Sequence, residues 1–206
     1  MSDTTLLILS GILGYLLGSI PFGIVFTRLA GLGDIRKIGS GNIGATNVLR
    51  TGRKDLALLT LLFDSGKAAL AAGIAYYCVP EEGTSDTAAL IAGTAGVLGH
   101  NFPVWLKFKG GKGVAATLGM LLATCWQAGL LSCVTWLAMA LVFRYSSLSA
   151  LTALILAPVY AYYFATPEYV WFYSFLAVLS VIRHRSNIAR LIHGEESKIK
   201  LKKKAE

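Results

Sequence analysis

The sequence predicts an all-α fold: a polytopic integral membrane bundle of about seven transmembrane helices, with its N-terminus outside and its C-terminus cytoplasmic. Hydrophobic residues make up 55% of the 206 residues and charged residues 15%, and the mean hydropathy is +0.61. A soluble domain of this length cannot bury so much apolar surface. The runs without a charged residue, several long enough to span a membrane, are 4–27, 68–80, 87–106, 113–143, 145–167 and 169–182.

The positions of the basic residues predict the orientation. Every Lys and Arg except Lys67 lies in residues 28–55, 107–112, 144 or 183–206, whereas the intervening turns carry only acidic charges. Because Lys and Arg accumulate in cytoplasmic loops, these basic segments are expected in the cytoplasm. The first apolar run follows an acidic residue and is too long for the core of a cleaved signal peptide, so we expect it to remain as a membrane helix.

The run 113–143 decides the number of spans. A single crossing there would leave the basic C-terminal segment outside, whereas two short helices with a turn near 124–129 restore the predicted orientation. Each short helix would have about 15 residues and a length of ~22 Å, against a hydrocarbon core of ~30 Å. Five spans is the alternative. The predicted spans are 4–28, 56–79, 87–105, 113–126, 129–143, 147–165 and 169–183. The whole chain, 1–206, is expected to form one membrane-embedded domain, with 194–206 as a polybasic tail on anionic lipid.

A glycine–lysine loop lies within "HNFPVWLKFKGGKGVAATLGMLL", residues 100–122. Glycines let the backbone approach a ligand and turn its N–H groups toward it, and a helix N-terminus adds further donors. With the lysine charges these features predict a phosphate site in the loop Lys107–Gly113 and leave open which of Lys107, Lys109 and Lys112 contacts the ligand. The alternative is a basic membrane anchor whose glycines only form the turn. A nucleotide P-loop is excluded, because Leu106 and Gly113 stand where that motif needs Gly and Ser/Thr.

A second polar segment, "IGSGNIGATNVLRTGRK", covers residues 38–54. Its glycines satisfy G-x-G-x-x-G, but no strand precedes them, which excludes a dinucleotide-binding fingerprint. The segment contains hydrogen-bonding side chains and two arginines. It either wraps a second anionic ligand or is a well-capped loop, and physical chemistry alone leaves both interpretations open. The candidate residues are Ser40, Asn42, Thr46, Asn47, Arg50 and Arg53.

A third segment, "RHRSNIARLIHGEE" at residues 183–196, follows the last span. Its His184 and Asn187 are three residues apart and share one helical face. Within or beside the spans, Asp64 and Lys67 predict a structural ion pair, and His100 is expected to hold the glycine–lysine loop. Ser147 is expected to cap the sixth span, within reach of the site. The three cysteines show neither paired spacing nor a nearby histidine, so no metal site is expected.

Taken in order, "GSIPFG…GSGNIGATN", "GHNFPVWLKFKGGKGVA" and "RHRSNIARLIHGEE" resemble the three motifs of the PlsY family, the bacterial acyl-phosphate-dependent glycerol-3-phosphate acyltransferases. The resemblance extends over nearly the whole chain. It implies a multi-pass enzyme of the bacterial inner membrane with its active site on the cytoplasmic side. Such an enzyme transfers a fatty acyl group from acyl phosphate to the 1-position of glycerol 3-phosphate, giving lysophosphatidic acid and phosphate, the first step of phospholipid synthesis. Cofactors, metals and nucleic acids are not implied; membrane lipids and the phosphate acyltransferase that makes acyl phosphate are the implied partners.

The resemblance also implies residue roles. The loop 109–113 would bind the phosphate of acyl phosphate, Arg50 and Lys112 would neutralise phosphate charge, and Asn42 would complete the substrate site. The residues implied in catalysis, by orienting the acceptor and polarising the carbonyl, are Ser40, His184 and Asn187. Glu195 would have a structural role. The proton acceptor stays open between a substrate phosphate oxygen, His184 and, least favoured, an acyl-Ser40 route.

A transporter of a phosphorylated solute is the competing hypothesis. Transporters place polar residues near the bilayer midplane and carry internal repeats. Here the polar residues concentrate at one face and no repeat is visible. An enzyme acting on a nucleotide-activated lipid would need an Asp-rich metal motif, and the cytoplasmic segments contain only scattered acids.

Overall fold

The computed structural model describes residues 2–79 and 84–199, and within these ranges it contains helices and no β-strand. The chain forms two compact units, Met1–Gly129 and Leu130–Glu206, which are taken in turn below; a single domain stays a prediction. Residues 200–206, most of the predicted polybasic tail, lie outside the described ranges.

The first unit contains six α-helices among its described residues and the start of a seventh. They are α1 (Asp3–Gly18), α2 (Phe22–Leu29), α3 (Ala45–Val48), α4 (Lys54–Cys78), α5 (Thr84–Asn101), α6 (Val114–Thr124) and α7 (Trp126–Val142). Short 3-10 turns cover Ile35–Lys37, Leu49–Thr51 and Val104–Leu106. The second unit continues α7 and adds α8 (Ser146–Phe164), α9 (Pro167–Arg183) and α10 (Arg185–Ile192).

Three helical segments of the described chain are long and apolar enough to cross a membrane: Asp3–Leu29, Lys54–Cys78 and Ser146–Phe164. Two shorter apolar helices, Val114–Thr124 and Trp126–Val142, confirm that the run 113–143 is divided. The division falls at Cys125, and α7 folds back so closely that a Cβ on Gly129 would meet the backbone of Leu122. Helices occupy all seven predicted segments; the number of crossings and the orientation stay predictions.

The first apolar run is not the single helix expected over 4–28. α1 ends at Gly18 and α2 begins at Phe22, because Pro21 cannot donate to the helical ladder and disfavours helical geometry in the residue before it. Ser19 closes α1, with its amide and its hydroxyl both donating to the carbonyl of Tyr15, over 2.9 and 2.8 Å. The backbone therefore breaks at residues 19–21.

Glycines bring α1 and α5 into close contact. A Cβ on Gly14 would meet the backbone of Ala92, one on Gly18 the backbone of Gly96, and one on Gly99 the backbone of Tyr15 and Ser19. Small residues at helix contacts let backbones approach closely, and van der Waals packing is the main attraction between helices in lipid. This contact holds the C-terminal end of α5 beside the break between α1 and α2.

In the second unit, α8 and α9 pack against each other, and α7 contacts α8 through a 2.7 Å hydrogen bond between the hydroxyls of Thr135 and Tyr160. α9 ends at Arg183, as predicted for the last span. His184 then separates α9 from α10.

Candidate active site

The glycine–lysine loop turns sharply and returns to the end of α5. Lys107 and Phe108 have φ angles of 51° and 62°. The amides of Gly110 and Gly111 donate to the carbonyls of Asn101 and His100, over 3.2 and 3.0 Å. A Cβ on Gly110 would meet Pro103 and the His100 carbonyl, and one on Gly111 would meet the His100 ring. These positions require glycine because the loop packs directly on α5.

That packing corrects one expectation from the sequence. The N–H groups of Gly110 and Gly111 do not point toward a ligand, because α5 carbonyls accept from them. Anion binding by this loop stays a prediction, for which the candidate donors are the lysines and the first turn of α6, where Gly113 provides no side-chain cap. Lys112 is partly buried, whereas Lys109 is exposed. Among the lysines of this loop, Lys112 is therefore the least exposed to solvent.

Asn47 organises the second polar segment from its centre. Its Nδ2 donates to the carbonyls of Ile35, Ile38 and Asn42, over 3.0, 2.9 and 2.8 Å. Its Oδ1 accepts from the amide and the hydroxyl of Ser40, over 3.1 and 3.3 Å. The side chain is 2% exposed. One buried amide thus fixes the turn that presents Ser40.

Arg50 folds over the same turn. Gly39 has a φ of 57°, and a Cβ there would lie 2.7 Å from the Arg50 Cδ and 2.8 Å from its Nη1. Asn42 is partly buried and its Oδ1 accepts from the amide of Ile43 over 2.9 Å. Arg50 therefore lies at the turn that carries Ser40, and Asn47 ties the Asn42 carbonyl to the same turn; the roles of these residues stay predictions.

An apolar contact joins the two glycine-rich loops within the first unit. Leu106, at the entrance of the glycine–lysine loop, packs against a buried cluster that includes Ile35, Ile43 and Val48 of the second segment. The start of the glycine–lysine loop is therefore adjacent to the second polar segment.

Three buried polar side chains form a cluster that contacts the glycine–lysine loop through His100. The Lys67 Nζ donates to Asp64 Oδ1 over 3.0 Å and to the Ile20 carbonyl over 2.9 Å, which confirms the predicted ion pair. The His100 Nδ1 lies 3.5 Å from Asp64 Oδ1. All three side chains are buried. Their roles in the reaction stay predictions.

In the second unit, His184 is held by the end of α9. Its Nδ1 lies 2.8 Å from the Ser180 carbonyl oxygen and 3.3 Å from the Ser180 hydroxyl. Because a carbonyl only accepts, Nδ1 carries the proton, and a neutral ring then has its lone pair on Nε2. The ring is buried. His184 is thus presented with Nε2 as a hydrogen-bond acceptor.

Glu196 forms hydrogen bonds with two further predicted residues of this unit, Ser147 and Asn187. Its Oε1 accepts from the Ser147 hydroxyl and from the Asn187 Nδ2, over 2.8 and 2.7 Å, and its Oε2 accepts from the Arg190 Nε over 2.7 Å. Burial opposes ionisation, but the hydrogen bonds from Asn187, Ser147 and Arg190 outweigh it and lower the pKa of Glu196 below its ordinary value. Ser147 does not cap α8, whose N-cap is Tyr145; its hydroxyl binds this carboxylate instead.

Glu196 is not among the residues predicted from the sequence, which favoured Glu195 for a structural role. The structure leaves Glu195 exposed. Gly194 reverses the chain after α10 with a φ of 73°, and this turn directs the second of the two glutamates back onto the helix. A glycine just after a helix is the signal from which that reversal can be inferred.

The candidate residues are therefore gathered in two places. The first unit holds the two adjacent loops with Ser40, Asn42, Arg50 and 109–113, and the second holds His184 and the group of Ser147, Asn187 and Glu196. That these places form one active site stays a prediction.

Comparison with known proteins identifies a family that this chain resembles. The family model described as glycerol-3-phosphate acyltransferase matches residues 8–194. A glycerol-3-phosphate acyltransferase of Rhodospirillum rubrum is 64% identical over 195 residues, covering 93% of this chain and 90% of that protein. The corresponding protein of Paramagnetospirillum magneticum is 61% identical over 193 residues, covering 94% of each chain.

Solved structures give the same relationship. The crystal structure of PlsY (YgiH), an integral membrane glycerol 3-phosphate acyltransferase, in its glycerol 3-phosphate form has a TM-score of 0.86 at 38% identity, covering 94% of this chain and 96% of that one. Its lysophosphatidic acid form has a TM-score of 0.83 at 38% identity, covering 93% and 94%. From its sequence, its loops and its fold, this chain belongs to the PlsY family of integral membrane glycerol-3-phosphate acyltransferases.

Proposed function

We propose that this enzyme uses acyl phosphate as its donor and acylates the 1-position of glycerol 3-phosphate, releasing lysophosphatidic acid and phosphate. Membership of the family gives the enzyme class and the acceptor. The related structures in glycerol 3-phosphate and lysophosphatidic acid forms support the acceptor and the product. The observation that carries the donor is the pair of adjacent loops, one with Lys112 beside the start of α6 and the other with Arg50 over Gly39, the residue before Ser40.

Two neighbouring anion sites suit a reaction between two phosphate compounds. Two substrate phosphates bring together roughly four negative charges, which would repel each other without fixed positive charges and N–H dipoles. In this proposal Lys112 and the first turn of α6 bind the phosphate of the donor. Arg50 neutralises further phosphate charge, and Asn42 of the same loop completes the substrate site. A transporter of a phosphorylated solute has no need to hold two phosphates at once.

The step itself balances without a further reactant. The 1-hydroxyl oxygen of glycerol 3-phosphate attacks the carbonyl carbon of acyl phosphate, a C–O ester bond forms, and the C–O bond to the phosphate breaks. The hydroxyl proton passes to an oxygen of the departing phosphate, which leaves as hydrogen phosphate. His184, Ser40 and Asn187 orient the acceptor and polarise the carbonyl.

The membrane supplies the route for the acyl chain. In this proposal the apolar helices keep the lipid donor in the bilayer, and the reaction takes place on the cytoplasmic side of the bacterial inner membrane. The basic segments next to the loops support this orientation. The phosphate acyltransferase that forms acyl phosphate is then the enzyme that supplies this substrate, and surrounding lipid receives the product.

Phosphate release tests the proposal. Purified protein is given palmitoyl phosphate and glycerol 3-phosphate without added metal, beside the variants Lys112→Ala and Lys37→Ala. Lys37 is an exposed basic residue outside the loop and serves as the control. We expect release that depends on the acceptor, is lost in Lys112→Ala and is retained in Lys37→Ala. Folded protein that releases no phosphate in the presence of the acceptor contradicts the proposed donor.

A further inference from the structure

The ion pair between Asp64 and Lys67 lies well inside the long apolar helix α4. The two side chains are 2% and 1% exposed. Burying a pair of charges costs several kcal/mol, and a well-packed hydrophobic pair is often as stable or more stable. Stability alone therefore does not explain charges at these positions, and ionisable residues within a membrane span are by default functional.

On one side, this pair holds the break in the first membrane segment. The Lys67 Nζ donates to the carbonyl of Ile20 over 2.9 Å and lies 5.8 Å from the centre of the Phe22 ring. Ile20 and Phe22 flank Pro21, the residue that interrupts the helix. Lys67 thus contacts the chain on both sides of Pro21.

On the other side, the pair reaches the glycine–lysine loop through His100. The His100 Nδ1 lies 3.5 Å from Asp64 Oδ1, and the ring packs on Gly111 so closely that a Cβ there would overlap it. The backbone carbonyl of His100 also accepts from the Gly111 amide over 3.0 Å. A continuous chain of contacts therefore runs from Ile20 through Lys67, Asp64 and His100 to Gly111.

We propose that Asp64, Lys67 and His100 are positioning residues that hold the loop Lys109–Gly113 in register with the broken first segment, and that they act on the binding of the phosphate donor alone. Directional contacts between fixed charges set an orientation that apolar packing does not. A loop misplaced by about 1 Å can cost up to about 100-fold in rate. The kinetic part of this proposal rests on the proposed function, in which the loop binds acyl phosphate.

The test uses Asp64→Asn, Lys67→Met and the double variant that combines them. Gly66→Ala is the control with which all three are compared. Each single variant leaves one buried charge and is expected to unfold more easily. The double variant removes both charges with a similar volume, so no unpaired charge stays buried, and it is expected to be more stable than either single variant. Gly66 lies between the pair, and a Cβ there has nothing within 4 Å, which makes Gly66→Ala a matched control on the same helix.

The first readout does not depend on activity. Hydrogen exchange at the amides of Gly110 and Gly111 is measured in detergent micelles for the double variant and the control. We expect exchange at least about tenfold faster in the double variant, because the loop loses its support, and unchanged exchange in Gly66→Ala. Unchanged exchange in a double variant of wild-type stability would overturn the positioning role.

The second readout separates the two substrates. We expect the KM for palmitoyl phosphate to rise by about tenfold or more in the double variant, while the KM for glycerol 3-phosphate stays within about twofold. Equal rises in both KM values, or unchanged KM values, would overturn the restriction to the donor. If the wild-type enzyme shows no reaction with palmitoyl phosphate, the proposed donor fails, and hydrogen exchange still decides whether the three residues position the loop.

Discussion

The Asn187 Nδ2 donates to Glu196 Oε1 over 2.7 Å, and this contact ties α10 to the chain that follows it. The same oxygen accepts from Ser147 at the start of α8. One carboxylate therefore fixes the orientation of the Asn187 amide, a predicted substrate-binding group. Disturbing Glu196 is expected to act on catalysis through Asn187.

Glu196→Gln tests this arrangement. The amide replaces a charged acceptor of three hydrogen bonds with a group that carries donors of its own, so we expect unfolding to become easier by about 1–3 kcal/mol. Glu195→Gln, on the exposed neighbour, is expected to change the free energy of unfolding by less than about 0.5 kcal/mol. Thermal unfolding in detergent, followed by circular dichroism, measures both. Equal stability of the two variants would contradict the role assigned to Glu196.

The same carboxylate predicts a pH dependence. Because hydrogen bonds hold the folded-state pKa of Glu196 below its ordinary value of 4.5, its stabilisation is fully present above that pH. It is lost as the pH falls from 4.5 through the lower folded-state pKa. Unfolding curves of the wild type and Glu196→Gln should therefore converge on acidification. A constant difference between them down to strongly acidic pH would count against this assignment.

His184→Gln distinguishes the two proton acceptors. If a phosphate oxygen takes the proton and His184 only accepts a hydrogen bond, kcat/KM should fall by about tenfold and the pH–rate profile should keep its shape. His193→Gln, at the exposed end of α10, provides the control. A loss of about 100-fold to 10,000-fold, with loss of the acidic limb of the profile, would make His184 the general base instead.

Gly111→Ala tests the fit of the loop on α5. The added Cβ overlaps the His100 ring, so we expect the loop to shift and the KM for palmitoyl phosphate to rise by up to about 100-fold. Gly73→Ala is the control, because a Cβ there has nothing within 4 Å. Wild-type KM values in Gly111→Ala would show that the loop does not require this contact.

Gly18→Ala tests the close contact of α1 with α5. The Cβ would overlap the backbone of Gly96, and overpacking of this kind costs about 1–3 kcal/mol. In contrast, Gly73→Ala, where a Cβ has nothing within 4 Å, should stabilise α4 by about 0.5–1 kcal/mol. Thermal unfolding measures both effects, and their signs should be opposite. A Gly18→Ala protein as stable as the wild type would contradict the close packing of these helices.

The sequence predicts the helical segments and both glycine-rich loops because hydropathy and charge act locally. Residues 113–143 divide as expected, and Asp64 pairs with Lys67 as their spacing predicts. The break at Pro21 lies inside an apolar run, where hydropathy gives no signal, although the proline itself does. The choice of Glu196 over Glu195 depends on a chain reversal at Gly194. The donation of the Gly110 and Gly111 amides to α5 depends on tertiary packing, which no local pattern specifies.

The choice of acyl donor is the most direct test of the proposed reaction. Purified enzyme is given glycerol 3-phosphate with palmitoyl phosphate, palmitoyl-CoA or palmitoyl-acyl carrier protein, and lysophosphatidic acid and phosphate are quantified together. We expect lysophosphatidic acid from palmitoyl phosphate alone, with one phosphate released for each molecule formed. Formation of lysophosphatidic acid from palmitoyl-CoA or the carrier protein without phosphate release would contradict the proposed reaction.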